Sequence, residues 1–484
     1  MHTPFFSPWR AQLAVLGRRT TQALRQSTLA QLGEHLTQLI PTHLLAAEEE
    51  GPGSRDRLYS LRLTCECFLW QLLNPGTACR EVVRQVQALC RLQGKAPPDE
   101  GTSAYIQARL RLPPERLERI LSATAQAADQ RAGRLGHLAG RPVKVVDGTT
   151  VQLPDTPQNQ KAYPQPSTQK RGCGFPVMRL VVLFSLASGA LLDVAMGNLH
   201  SHDLRVFSLL WEVLRAGDVV LGDRGFGNFP TLARLPLQGV DVVARLHQRR
   251  KVDFRRAKRL GHHDGLFVWR KNPQQSHIFS AAQWRALPEE ITVRIVRFHA
   301  TLRGFRQRKI TLVTTLLDPV AYPAEELAAL YGRRWRLELC LRDVKTTLGM
   351  EALRCQSPAM ARKEVLAYLI AHNLVRGVMA EAALVHDARL DRLSFKGTLD
   401  ALRQYSAALA QARSRKLRRQ LWQDLLLNLV HDEVPWRLNR SEPRAVKRRP
   451  KPYPLLNQPR RRFVEVPHRN RYWNKKPRNY RALN

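Results

Sequence analysis

The sequence predicts an α/β protein: a mixed β-sheet with helices on its faces, preceded by a helical region and followed by a basic tail. Three observations lead there. Residues 1 to 138 carry apolar side chains at helical spacing. From 139 the pattern changes to β-branched runs bounded by Gly, Ser or Asp turns. Beyond 321 helical spacing returns, and residues 436–484 hold 16 Lys or Arg against only Glu442 and Glu465.

A chain of 484 residues, 44% hydrophobic, can bury a sizeable core in more than one domain and is not disordered overall. Its 78 Lys plus Arg against 40 Asp plus Glu give a net charge of +38. Such a charge concentrates a polyanion around the molecule, so nucleic acid is the expected partner; a membrane surface or the ribosome would be the alternatives. The start, MHTPFFSPWRAQLAVLGRRT, lacks a continuous apolar core and a small-residue cleavage site, so no secretory signal is expected. The seven cysteines lack paired metal-ligand spacing, Cys65 and Cys67 included, and reduced thiols are expected rather than zinc.

Taken in order, TCECFLWQLLN, CREVVRQVQALCRL and PPERLERILSATAQAADQRAG read as helices, as does LGEHLTQLIPTHLL before them. They form an expected domain over 1–138 whose solvent-facing arginines either bind DNA or serve structure alone. PVKVVDGTTVQL, VMRLVVLFSLA and GALLDVAMG follow as strands. The stretch from Val177 to Met196 is interrupted by Arg179, Ser188-Gly189 and Asp193, which makes it a β-hairpin and not a membrane span. One helix is expected over SHDLRVFSLLWEVLRAG, a strand at DVVLGDRGF, a helix at TLARLPLQ and a strand at GVDVVARL. The segment 248–320 reads as a β-rich insertion. One helix is expected through YGRRWRLELCLRDVKTTLG and another through ARKEVLAYLIAHNLVRGVMAEAALV, completing a core of 139–247 and 321–385. Two more helices fit 386–435. The tail 436–484, with Lys447, Arg448, Arg449 and Lys451, reads as an extended polyanion-binding arm or a plain solvated end.

On the expected helix, Tyr331, Arg334, Glu338 and Lys345 are separated by 3, 4 and 7 residues and share one stripe. Glu338, with Arg334 and Arg342 one turn either side, could be a surface ion-pair ladder. Asp147 in VVDGTT could sit in a turn, as could the Asp223-Arg224 pair in GDRGF. Read together, one Asp lies in the leading strand, one beyond a later strand and the Glu on a helix, which lets three carboxylates meet at one end of a sheet. Three hard oxygen donors suit Mg²⁺ or Mn²⁺, and two such ions about 4 Å apart can serve phosphodiester transfer. Arg334 and Lys345 would flank any phosphate bound there. His200, Ser201, His202 and Asp203 form either a metal cluster or, with Ser201 or Asp203 as cap, a helix start.

These residues are those of a known family. The chain resembles a DDE transposase of bacterial insertion sequences, in the insertion-sequence-four branch with its Tyr-Arg-Glu-Lys signature. Tyr331, Arg334, Glu338 and Lys345 match that signature, Asp147 looks like the first acid and Asp223 like the second. The resemblance spans roughly residues 140 to 460. It implies a ribonuclease H-like core, Asp147, Asp223 and Glu338 as catalytic metal ligands, and cut-and-paste transposition by hydrolysis and strand transfer. Its partners would be double-stranded DNA, as inverted-repeat ends and target, and a second copy of the chain in the synaptic complex. The setting would be the bacterial cytoplasm, on the nucleoid when DNA is bound, with no membrane. Arg224, Arg334, Arg342, Lys345 and Tyr331 are then candidate DNA contacts. Trp269 and Trp284 are candidates for stacking on a flipped base, or are core tryptophans. The alternatives are a nuclease of the same fold without strand transfer, or a catalytically silent DNA-binding relative.

Overall fold

The computed structural model describes residues 39–46, 58–92, 94, 96–276, 278–299, 309–412, 414–434, 458, 459 and 462. Lys447, Arg448, Arg449 and Lys451 lie outside them, as does the first half of LGEHLTQLIPTHLL. Among the described residues a 3-10 turn (Thr42–Leu45) comes first, followed by four α-helices: α1 (Leu61–Leu73), α2 (Cys79–Leu92), α3 (Ser103–Arg111) and α4 (Pro114–Ala132). Ser60 starts α1 by accepting the Leu63 N–H at 3.2 Å. Pro at its first turn and Gly133 at φ +60° bound α4.

The sheet follows as β1 (Val143–Gln152), a short α5 (Pro157–Ala162), β2 (Val177–Ser185), β3 (Leu191–Asn198), α6 (Asp203–Ser208), β4 (Val219–Gly222), α7 (Phe229–Arg234) and β5 (Asp241–Arg245). Then come β6 (Lys258–Gly261), β7 (Asp264–Arg270), α8 (Ala281–Ala286), β8 (Glu290–His299) and β9 (Lys309–Thr314). The described residues form one nine-stranded sheet in the order β3-β2-β1-β4-β5-β9-β8-β7-β6. β4 runs parallel to both β1 and β5, and β2–β3 is an antiparallel hairpin. The strands of 248–320 continue this same sheet, because β9 pairs with β5 and β8 with β9.

The helical part closes with α9 (Ala324–Arg333), α10 (Trp335–Arg342), a π-helical turn at Asp343–Thr347, α11 (Pro358–Val385), α12 (Phe395–Gln411) and α13 (Arg415–His431). Both sheet faces are covered, which is why β2 is apolar from Leu180 to Phe184 on both of its sides. Val145, Leu180, Val182 and Phe184 join the core shared with α1, α4 and α11. Val146, Val181 and Leu183 join the opposite core with Phe207, Trp211 and Phe226. Asn373 of α11 ties the first core together: its carbonyl oxygen accepts from Leu191 N–H and its amide donates to Leu191 O, both at 2.8 Å. No helix of the described residues is long and apolar enough to cross a membrane.

Three expected helices differ in extent. The one expected from Ser201 to Gly217 stops at Ser208, and Trp211–Val213 is a 3-10 turn. That tightening lets Trp211 pack edge-on against Phe207 at 6.1 Å between ring centroids, so tertiary contact overrides local propensity. The helix expected at TLARLPLQ ends at Arg234 before Pro236, which has no N–H to continue it. The single helix expected around Glu338 is broken at Arg334, whose N–H donates to Tyr331 O three residues back at 3.1 Å.

Candidate active site

The register of the parallel strands brings the first two acids side by side. Val145 pairs with Leu221, so the same register carried two residues on aligns Asp147 with Asp223, just past the end of β4, and the two carboxyls feel each other's charge. Asp147 lies within β1 opposite Val182, and its Oδ1 accepts the Gly148 N–H at 2.8 Å. The Asp-Gly pair is therefore not a hairpin turn. Gly148 keeps the contact loose: a Cβ there would meet Oδ1 of Asp203 at 3.3 Å and push that side chain slightly aside. Asp223 does make a turn, accepting Gly225 N–H at 2.8 Å, which aims its carboxyl from the end of β4.

The third acid arrives on α10. The Arg334 guanidinium bridges it to the first: Nη1 lies 3.5 Å from Asp147 Oδ2 and Nη2 lies 3.3 Å from Glu338 Oε1. Beneath Arg334, the Tyr331 ring centroid is 5.8 Å from its Cζ. Lys345, carried inward by the π-helical turn, donates to Thr149 Oγ1 at 3.4 Å, two residues from Asp147 on β1. The residues of the helical stripe therefore face β1, which holds Asp147, or β5, which lies beyond β4 and carries Arg245, the partner of Tyr331. π-Turns are found often at functional sites, and this one sets the position of Lys345.

Electrostatics follow from this crowding. Burial pushes the Asp147 carboxyl up to about 6; Gly148 N–H and Arg334 oppose the rise, and Asp223 and Glu338 add to it. Burial works against charge on Arg334, but Tyr331, Asp147, Glu338 and Asp223 outweigh it, leaving its pKa above the ordinary arginine value. The mutual influence of Asp147, Asp223, Glu338 and Arg334 places all four in one locality. Among the described residues no three His, Cys, Asp or Glu side chains already stand around a common metal position.

One residue of the site escaped the sequence reading. Arg245 ends β5, and the pairing of Gly222 with Ala244 sets it level with Asp223. Asp147 within β1, Asp223 just past β4 and Arg245 at the end of β5 thus align across three neighbouring parallel strands. Burial lowers the Arg245 pKa, a hydrogen bond to Tyr331 opposes this, and Arg224 and Arg334 add repulsion. Only strand register reveals it; nothing in VVARLHQ distinguishes it locally.

Other expected residues fall elsewhere. Arg224 is held by Gln248 Oε1 at 2.5 Å beside Arg245. Arg342 is exposed and lines a separate cavity of about 410 Å³ with Arg336 and Arg376. Trp269 is buried under the Arg250 guanidinium, 3.8 Å above its ring, and Trp284 is buried against Phe229 and Phe279. Neither ring faces solvent as a stacking platform. His200, Ser201, His202 and Asp203 do not converge as a metal cluster. Neither Ser201 nor Asp203 caps α6: His202 occupies that position without a side-chain bond, Ser201 bonds Asn198 and Asp203 pairs with Arg179.

Residues 138–374 match the family profile described as the transposase DDE domain. The chain is 27% identical over 435 residues to transposase InsG for insertion sequence element IS4 of Escherichia coli (strain K12), covering 89% of this chain and 94% of that protein. It is 23% identical over 283 residues to the transposase for insertion sequence element IS421 of Escherichia coli, covering 53% of this chain and 70% of that one. Among solved structures, a cryo-EM structure of the piggyBac transposase synaptic complex with hairpin DNA gives a TM-score of 0.37 at 8% identity over 87% of this chain and 85% of that chain, too distant to carry a fold argument.

Proposed function

From its membership of the DDE transposases of bacterial insertion sequences, in the insertion-sequence-four family, this chain is a DNA transposase, and we propose that it cuts its own element out and joins it to target DNA with Asp147, Asp223 and Glu338 as ligands for two divalent ions, Mg²⁺ or Mn²⁺. The observation that carries this reading is the Arg334 guanidinium reaching both Asp147 and Glu338, with Asp223 just past the end of the next strand and influencing Asp147. The donor set fits: hard carboxylate oxygens, with a surplus of negative charge that already pushes one of them toward its neutral form. When bound, the ions would supply an activated water or 3′-hydroxyl and stabilise the leaving oxygen.

The chain's own residues do the rest. Arg334 and Lys345 hold phosphates next to the scissile bond, and charge-assisted contacts fix their position. Tyr331 orients Arg245 by its hydroxyl and supports Arg334 by its ring. The strand order β3-β2-β1-β4-β5, antiparallel then parallel, supports a ribonuclease H-like core over 139–247 and 321–385. Residues 1–138 and 436–484 serve as DNA-binding extensions in this reading, and two copies pair the element's two ends. Alanine at Asp147, Asp223 or Glu338 is expected to abolish nicking at the 3′ end of a cognate duplex while end binding persists; a variant that still cleaves removes that residue from the site. Joined donor–target products separate a transposase from a simple nuclease.

A further inference from the structure

We propose that Arg334 locks the acidic site in the DNA-free protein, so that the divalent-ion site is completed only when a phosphate of the DNA end draws the guanidinium away. The proposal rests on the reading of Asp147, Asp223 and Glu338 as ligands and adds how their assembly is controlled.

Arg334 occupies the space that the ligands must share. One nitrogen lies 3.5 Å from Asp147 Oδ2 and another 3.3 Å from Glu338 Oε1, and the side chain is only 17% exposed. A guanidinium between two carboxylates satisfies their charge as a cation would. The bonds are long, near the limit of useful hydrogen bonding, so the lock holds the acids without fixing them.

The surroundings favour release toward an anion. Arg245, on β5, feels like charge from both Arg334 and Arg224. A phosphodiester entering there relieves repulsion among three arginines and offers Arg334 a bidentate partner. Glu338, 41% exposed, lies on the open side of the pair and can turn away once freed. Asp147 and Glu338 are then left without their cation and take a divalent ion instead. DNA and metal must therefore each raise the other's affinity by the same factor. Cleavage away from a bound end is suppressed without any separate inhibitor.

The test is Mn²⁺ binding to the full chain, followed by the electron paramagnetic resonance signal of free Mn²⁺. It is run alone, with a duplex carrying the terminal inverted repeat, and with a scrambled duplex of equal length. Wild type is expected to bind Mn²⁺ at least about ten-fold more tightly with the cognate duplex, within the usual range of coupling between sites. R334Q, which keeps the shape and loses the charge, should bind tightly without DNA and gain little from it. R334K, which cannot bridge both carboxylates, should fall between. Equal wild-type affinity with and without cognate DNA overturns the lock, as does an R334Q that folds and binds Mn²⁺ no better than wild type. D147N in the DNA-bound state separates the two claims: if Mn²⁺ binding survives, the ligand assignment itself fails; if it is lost while DNA has no effect on wild type, only the lock fails.

Discussion

At Asp147 burial and two neighbouring carboxylates outweigh one guanidinium and one backbone N–H, and the group pays in stability for its place in the site. Its carboxyl titrates at about 6 in the fold against an ordinary 3.8, so the folded chain prefers the neutral acid. The sign follows: stability is lost as pH rises from about 4 to 6 and stays lost above. Asp147→Asn removes the ionisable group and should stabilise the fold at pH 7.5 by up to about 3 kcal/mol, while abolishing cleavage. Melting temperatures of both proteins at pH 4 and 7.5 check it; a gap that does not widen with pH rejects the argument. Arg245 makes a second residue-scale case. Arg245→Ala should weaken binding to a cognate end about ten-fold and shallow its log–log salt slope by about 1, as for one lost phosphate contact. Gel-shift titrations at several salt concentrations measure both. The Tyr-Arg-Glu-Lys stripe was legible because its clue is spacing along one helix, and Asp147 and Asp223 because each closes a strand-like run and matches the family's pattern. Arg245 was not, because its clue is alignment across β4 and β5, which only the register supplies.

At the scale of the element, α11 carries the opposite pH dependence. His372 is fully buried within it and stacks on Phe395 with ring centroids 5.0 Å apart. Burial, reinforced by Arg376, drives its pKa down to about 3, so the fold holds the neutral ring. The unfolded chain takes up a proton near 6.5, and stability is therefore lost as pH falls below that, at about 1.4 kcal/mol per unit. His372→Leu should flatten the acid side of the stability curve, read as urea midpoints at pH 7.5 and 5. Between about 4 and 6 the Asp147 and His372 slopes oppose each other, so the single variants expose what the wild-type curve conceals. Helix positions were readable from apolar periodicity, as α4 illustrates with its buried 3- and 4-residue steps, while α11 is apolar and buried on nearly every side. Helix limits were less so. The ends of α6 and α9 are set by the fit of Trp211 against Phe207 and by the bridge that Arg334 makes, neither of which is local in sequence.

For the whole molecule, the alternation of apolar and turn residues from 139 to 247 gave three strands, helix, strand, helix, strand, and the sheet keeps that order. The pairing of β9 with β5, which runs the later strands into the same sheet, has no counterpart in local pattern because it joins residues nearly 70 positions apart. Charge acts at this scale too. Of the 78 cations in the chain, 16 lie in residues 436–484 with two acids. Each phosphate neutralised releases counterion and adds about 0.9 to the log–log salt slope of duplex binding. A tail lying on DNA should therefore supply several units of that slope, and a chain ending at residue 435 should bind more weakly and with less salt dependence. The carboxylate site lies in the folded body, so the truncated protein at low salt should still bind Mn²⁺ with its cognate duplex. An unchanged slope after truncation would mean that these 16 charges stay in solvent, and that the DNA path is set by Arg224, Arg245, Arg334 and Lys345 together with the arginines of the helical domain.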